Sequence, residues 1–308
     1  MAVRLGVAPI AWSNDDLPEL GGDTPLETCL AESREAGYSG TETGGKFPMD
    51  PLELGPLLER YELALVSGWF SGQLLQHSVE AELGRMRDQF QTFAALGAPV
   101  LVYAETTGSV QGQRDVRLSR RPRLSTTELG DYGTKLTELA QRMADGGVPM
   151  AYHHHMGTVI ETESEVDSLM AATGEAVGLL VDTGHITYAG GDPVKLLRRH
   201  GPRVNHIHCK DVREEVLRVA LERDQSFLEA VLAGVFTVPG DGRVDFGAVA
   251  AATADIGYAG WLVVEAEQDP AKANPLEYAR MGHRHLSGVL QDAGIEVVTS
   301  GNTRRATD

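Results

Sequence analysis

Cysteine is nearly missing from this 308-residue chain, which contains only Cys29 and Cys209. Two thiols cannot build a disulfide framework or a cysteine-rich zinc site. The expected setting is therefore reducing and cytoplasmic. Basic residues are also scarce: 27 Lys and Arg face 44 Asp and Glu, for a net charge of −17. A field of that sign repels polyphosphate and anionic lipid, which argues against nucleic acid and a membrane surface as partners. No apolar run approaches the roughly 20 residues that a bilayer span needs. The opening MAVRLGVAPIAW passes straight into strand-like sequence, without the layout of a signal peptide. A glycine-rich GxGxxG loop after the first strand is absent as well, since the segment there reads APIAWSNDD. What the chain does have is 42% hydrophobic residues, enough for a sizeable core, and 35 glycines, which point to many tight connections.

Short apolar runs of strand character alternate with stretches of helical period along the whole chain. Strands are expected at Val3–Ala8, Ser39–Thr43, Leu63–Gly68, Pro99–Ala104, Val148–His153, Gly178–Asp182, Arg203–His208 and Trp261–Glu265. Helices are expected at Pro25–Ala36, Pro51–Arg60, Ser78–Leu96, Ser125–Asp145, Glu163–Ala172, Pro193–His200, from Phe246 onward, and at Pro275–Asp292. Thr24 and Glu27 read as a capping box for the first of these. Eight strand–helix units suit a closed α/β barrel, the (β/α)8 TIM barrel, better than a doubly wound sheet without its glycine loop. The expected organisation is one barrel domain over residues 1–297 with a polar tail at 298–308. Two connections exceed what a barrel needs. Residues 105–124 are rich in arginine, and residues 211–242 carry an extra helical segment, Arg213–Ala233. Both follow strands, so both belong at the C-terminal mouth, as a lid, a subunit contact or a solvated excursion.

The ends of the strands carry the functional signal. They read TETGGK, YHHHMG, DTGH, HIHCKD and EAEQD. Core packing does not require such residues, and buried charge is costly unless paired or metal-bound. Side chains alternate faces along a strand, so His153 and His155 point one way, as do His206 and His208, and Glu265 and Glu267. One histidine from strand five, Asp182, one histidine from strand seven and one glutamate from strand eight can converge at the mouth. Imidazole nitrogens and carboxylate oxygens together suit a divalent transition ion. Asp182 could instead be a helix N-cap for the next turn. Lys210, beside such an ion in a dry pocket, is expected to have a lowered pKa and to act as a base or an oxyanion partner. His185 follows Asp182 by three and can reach substrate hydroxyls. Glu42 and Lys46 bring a carboxylate and an ammonium to the opposite rim. Trp12, Asn14 and Asp15 are further candidates for the mouth, and Cys209 reads as packing.

At these residues the chain resembles the xylose-isomerase-like sugar isomerase and epimerase superfamily, and within it the inosose dehydratases of inositol catabolism. The segments that carry the resemblance are Asn14–Leu30, Gly44–Pro48, Ala151–Thr158, Asp182–Pro193, His206–Arg213, Val238–Gly242 and Gly260–Leu276. The resemblance implies a xylose-isomerase-like barrel and a divalent metal, Mn²⁺ or Co²⁺. It implies a cyclic polyol ketone as substrate: dehydration of scyllo-inosose to 3D-3,5/4-trihydroxycyclohexane-1,2-dione. The superfamily's metal set of Glu, Asp, His and Glu carries over to Asp182, His208 and Glu265. The first glutamate is replaced, because Glu-x-His reads His153-x-His155 here. The first ligand is then His153, or three protein ligands are completed by water. Lys210 or His155 is the candidate base, His185 or a metal-held water the candidate acid, and Glu42 and Lys46 would hold ring hydroxyls. A homo-oligomer is compatible with this reading. The alternatives are a sugar isomerase or ketose 3-epimerase, which loses no water, and a sugar-binding barrel that needs no metal.

Overall fold

The computed structural model describes residues 1–299. Among these residues, eight parallel strands run in chain order around a closed barrel. They are β1 Ala2–Val7, β2 Gly40–Thr43, β3 Ala64–Gly72, β4 Leu101–Glu105, β5 Met150–His153, β6 Gly178–Asp182, β7 Val204–Cys209 and β8 Trp261–Val264. Closure comes from β8 pairing with β1, with Arg4 opposite Trp261 and Val7 opposite Val264. A short strand at Glu296–Val297 adds to the start of β1, and the amide of Val298 donates to Val3. The expected polar tail thus begins tied to the barrel, and its remainder, 300–308, lies outside the described residues.

Two layers of apolar contact hold the barrel. Outward side chains of the strands, such as Leu5, Leu101, Leu179 and Ile207, pack against the ring of helices in the largest core cluster. Inside, small clusters fill the bore: Ala8, Val66, Trp261 and Val263 in one, Val100, Val102, Ala151 and Leu180 in the other. Burial on both faces explains why these strands read as near-continuous apolar runs. Trp261 occupies the bore beside Gly40, where a Cβ would come within 2.7 Å of the indole and 2.5 Å of Val66. A side chain at position 40 would force that layer apart.

The helices start where their caps stand. Asp50 caps Pro51–Arg60, Ser78 caps Val79–Leu96, and capping boxes from Ser125–Glu128 and Thr162–Glu165 open Thr126–Asp145 and Glu163–Ala172. Each such cap contributes about 1 kcal/mol. The expected capping box at Thr24 is absent. Pro25 occupies the N-cap position without a side-chain bond, and the helix begins at Leu26. A six-residue helix, Thr183–Tyr188, follows β6 directly, and the helical segment after β7 divides into Glu214–Glu222 and Phe227–Leu232.

Both long connections pack over the mouth and onto each other. Ser119 donates to the Asp224 carboxylate at 2.6 Å, and the amide of Leu118 to Gln225. Arg121 is buried, bridging Glu161 at 3.0 Å and Glu165 at 2.7 Å. A purely solvated arginine loop is therefore not what forms.

Candidate metal centre and its proton-carrying neighbours

Alternation along the strands delivers the side chains to one place. His206 and His208 lie on the inner face of β7, and Lys210 continues that face one step past its end. His208 sits level with Asp182 on β6 and Val263 on β8. Glu265 and Glu267 follow β8, and His153 and His155 straddle the end of β5.

His153, Asp182, His208 and Glu265 form a group whose ligand atoms all lie within 4.8 Å of one another. Nδ1 of His208 is 2.7 Å from Oε2 of Glu265 and 3.5 Å from Oδ2 of Asp182, and Nε2 of His153 is 3.8 Å from that same oxygen. These three atoms, Nδ1 of His208, Oε2 of Glu265 and Oδ2 of Asp182, are buried without a hydrogen-bond partner. Ligand bonds of about 2.0–2.2 Å place neighbouring donors roughly 3–3.5 Å apart, so the set fits one divalent ion. Leaving three such atoms unpaired would otherwise be costly. Asp182 does two jobs at once. Oδ1 caps the following helix by accepting from the amides of Gly184 and His185, at 2.8 and 2.7 Å, and this aims Oδ2 at the group. Burial works against its charge, but Lys210, His208 and His153 outweigh it and hold the carboxyl below its usual range.

Behind this group, Oε1 of Glu42 accepts from Nε2 of His206 and Nε2 of His208, each at 3.0 Å, and from the Ser67 hydroxyl. Burial opposes the charge of Glu42 and the two imidazoles overcome it, so its pKa is lowered. A proton on Nε2 of His208 leaves the lone pair of Nδ1 for a cation, the arrangement in which a carboxylate orients a metal-binding histidine. Glu42 was expected to hold substrate hydroxyls. Oε1 is committed to three donors, one of them Nε2 of His208, and Glu42 also lines the cavity at the mouth.

Lys210 is fully buried. Nζ donates to Oε1 of Glu267 at 2.6 Å and to Nε2 of His185 at 3.0 Å, and sits 4.6 Å above the Phe236 ring. Its pKa was expected to fall beside a divalent ion; among the side chains alone the direction is upward. Burial pulls the pKa down, but Glu265, Glu267 and Asp182 more than compensate, and it rises. These carboxylates favour the ammonium form as long as no cation shares Asp182 and Glu265 with it. Lys210 is not among the residues that line the cavity at the mouth. The cavity at the mouth is lined by Asp15, Asp16, Glu42, Trp69, Gln111, His153, His155, His208, Glu265 and Glu267. Glu267 is pushed up to about 7, first by burial and then by Glu265 and Asp16, against the pull of Lys210. His155 is pushed down to about 3, chiefly by burial and then by Lys210. Its Nδ1–H donates to Met156, so Nε2 carries the lone pair. Burial likewise lowers His185 and His153. Phe227 and Phe236, from the second long connection, cover the rings of His155 and His185.

Lys46 does not reach the cavity. Its ammonium is exposed and donates to the carbonyls of Thr24 at 2.6 Å and Gly21 at 3.2 Å, fastening the loop after β1. His185 stands beside Lys210 and is not among the residues that line the cavity. Trp12 points away, donating to Glu32. Asp16, Trp69 and Gln111 were not among the residues expected at the mouth, and Glu267 was placed there without a role. Its two-residue spacing from Glu265 had given its face. Gln111 had no such signal, because its loop is neither periodic nor repetitive.

With the geometry in place, known proteins provide the comparison. The family model for the xylose isomerase-like TIM barrel matches residues 30–288. A "Rhizopine catabolism protein MocC" of Rhizobium meliloti is 53% identical over 298 residues, covering 96% of this chain and 91% of the relative. An "Inosose dehydratase" of Bacillus anthracis is 43% identical over 289 residues, covering 92% and 96%. Among solved structures, an L-ribulose 3-epimerase superposes with a TM-score of 0.67 at 16% identity, covering 96% of both chains. An IOLI protein crystallised with a zinc atom gives 0.67 at 16%, covering 94% and 99%. The probable 3-DHS dehydratase AsbF gives 0.69 at 14%, covering 92% and 98%. At these identities the structures speak to the fold.

Proposed function

The chain belongs to the xylose isomerase-like TIM barrel family and, within it, to the inosose dehydratases, and from that premise we propose that it is a metal-dependent hydro-lyase of inositol catabolism. Its substrate is scyllo-inosose, converted to 3D-3,5/4-trihydroxycyclohexane-1,2-dione and water. The observation that carries this reading beyond kinship is the convergence of Asp182, His208 and Glu265 on one point, with Glu267 lining the same cavity.

His153, Asp182, His208 and Glu265 would hold Mn²⁺ or Co²⁺, and the ion supplies Lewis-acid polarisation of the ketone. The chain's own residues handle the proton. In scyllo-inosose adjacent hydroxyls alternate between ring faces. The hydrogen alpha to the ketone and the hydroxyl one carbon further therefore lie on the same face. One carboxylate can then take the carbon-bound proton and hand it to the departing hydroxyl. Glu267 lines the cavity, and its pKa of about 7 suits both halves of that task. Lys210, at 2.6 Å, stabilises its carboxylate form before the proton arrives. The C–H electron pair becomes the new double bond, C–O breaks, water leaves, and the resulting enol tautomerises to the dione. Nε2 of His155 faces the same cavity as an acceptor for a ring hydroxyl. Phe227 and Phe236 keep water from the charged groups.

The test is incubation of the purified protein with scyllo-inosose while following dione absorbance. Turnover is expected with Mn²⁺ or Co²⁺, and chelation should abolish it reversibly. Isomerised sugar without loss of water would move the reading to an isomerase or epimerase. The 53% identity to a protein named for rhizopine catabolism favours a second reading of the physiological route. Failure on scyllo-inosose, with turnover of a rhizopine-derived ring, would select it.

A further inference from the structure

His155, His185 and Glu267 form a second group of metal-capable side chains, again with ligand atoms within 4.8 Å of one another. The proposed dehydration uses Glu267 and His155 as proton carrier and acceptor, and it does not call for them to gather with His185 around one point. The space they surround is filled by the Lys210 ammonium, 2.6 Å from Glu267 and 3.0 Å from His185. The same nitrogen lies 3.4 Å from Oε2 of Glu265 and 3.9 Å from Oδ2 of Asp182. Those two oxygens also belong to the first group. They therefore face a cation position on either side, as bridging carboxylates do in two-metal centres, whose ions lie about 3.5–4 Å apart.

The fold makes room for this lysine specifically. Its stem passes over Gly184, where a Cβ would come within 2.6 Å of Cγ of Lys210. Phe236 covers the ammonium at 4.6 Å. We infer that this is a two-cation centre in which Lys210 occupies the second position, and that His155, His185 and Glu267 form a latent divalent-metal site held closed by that side chain. The inference rests on the proposed reading that the first group binds a divalent ion. An ammonium supplies fixed positive charge between the carboxylates but offers no coordination position to substrate oxygens. Substrate is thereby held by one metal only. Without the lysine, Asp182, Glu265 and Glu267 carry three negative charges around one divalent ion. Two imidazoles are then available to complete a second site.

The experiment counts metal in the full-length protein after equilibration with Co²⁺ and dialysis, by mass spectrometry alongside the Co²⁺ visible spectrum. Wild type should hold one ion per chain. Lys210→Met keeps an apolar stem without the charge and should hold two, with a second set of Co²⁺ bands. Lys210→Met combined with His185→Ala should return to one. One ion in Lys210→Met, or two in the double variant, overturns the inference while leaving the first metal site intact. No ion in wild type overturns both that site and the inference. If Lys210→Met does not fold, the electron paramagnetic resonance of Mn²⁺-loaded wild type decides. A single uncoupled ion agrees with the ammonium filling the second position, and an exchange-coupled pair contradicts it.

Discussion

His153 stands where related barrels are expected to carry a glutamate, and the exchange changes the charge of the centre. Asp182 and Glu265 bring two negative charges, which a divalent ion neutralises, whereas a third carboxylate would leave the set negative. A neutral set draws more electron density from a ketone. His153→Glu is thus expected to retain the ion while turnover falls, read by metal content and dione formation together; unchanged turnover would remove this role. Glu42 acts one step further out, through Nε2 of His208. Glu42→Gln should weaken metal binding about 10- to 100-fold, as loss of an orienting partner does elsewhere, measured by competition with a chelator. Much at this scale was legible because strands have a strict period of two. Once the ends of β5 to β8 were located, the inward residues followed. The behaviour of Lys210 was not legible, since three carboxylates from β6 and β8 surround it and no spacing records that. Nor was Lys46, whose ammonium is taken up by carbonyls of its own rim.

Elements position these residues through their ends. Asp182 closes β6, caps Thr183–Tyr188 and turns its second oxygen inward, so two readings that seemed exclusive, cap and ligand, hold for different atoms of one carboxylate. From the sequence that helix was legible only as a turn for Asp182 to cap, because six residues, TGHITY, are too few to show a helical period. The capped helices were legible nearly to the residue where Asp50, Ser78 and Thr162 stand at their starts. The long connections were legible as extra lengths but not as a joined roof, which depends on Ser119 meeting Asp224 across 105 positions. Arg121 anchors that roof, with its side chain almost wholly buried between Glu161 and Glu165. Arg121→Ala leaves two carboxylates without their cation and should destabilise the protein by about 3 kcal/mol in denaturant unfolding. An effect below about 0.5 kcal/mol would mean the pair is no stronger than a surface one.

For the whole molecule, alternation of strand and helix, together with the missing glycine-rich loop, was enough to choose a barrel over an open sheet. The eight strands close as expected. The filling of the bore was not legible, because the place of Trp261 beside Gly40 is set by barrel geometry and not by neighbours in sequence. Closure brings residues from β2, β5, β6, β7 and β8 to one mouth, so an ion held there joins distant parts of the chain. Binding restricted to the folded state stabilises it by about 4 kcal/mol at a thousandfold excess over Kd. Chelation should therefore lower the thermal midpoint by several degrees, and readdition of Mn²⁺ or Co²⁺ should restore it. A midpoint indifferent to chelator would mean that no ion spans these strands.

The most direct measurement compares wild type with Glu267→Gln, both loaded with the same ion, for dione formation from scyllo-inosose. The amide keeps the size of the side chain and cannot carry the proton. With metal content unchanged, dione formation should fall by about 10²- to 10⁴-fold. Equal rates would contradict the assignment of proton transfer to Glu267, and with it the account of how this barrel removes water.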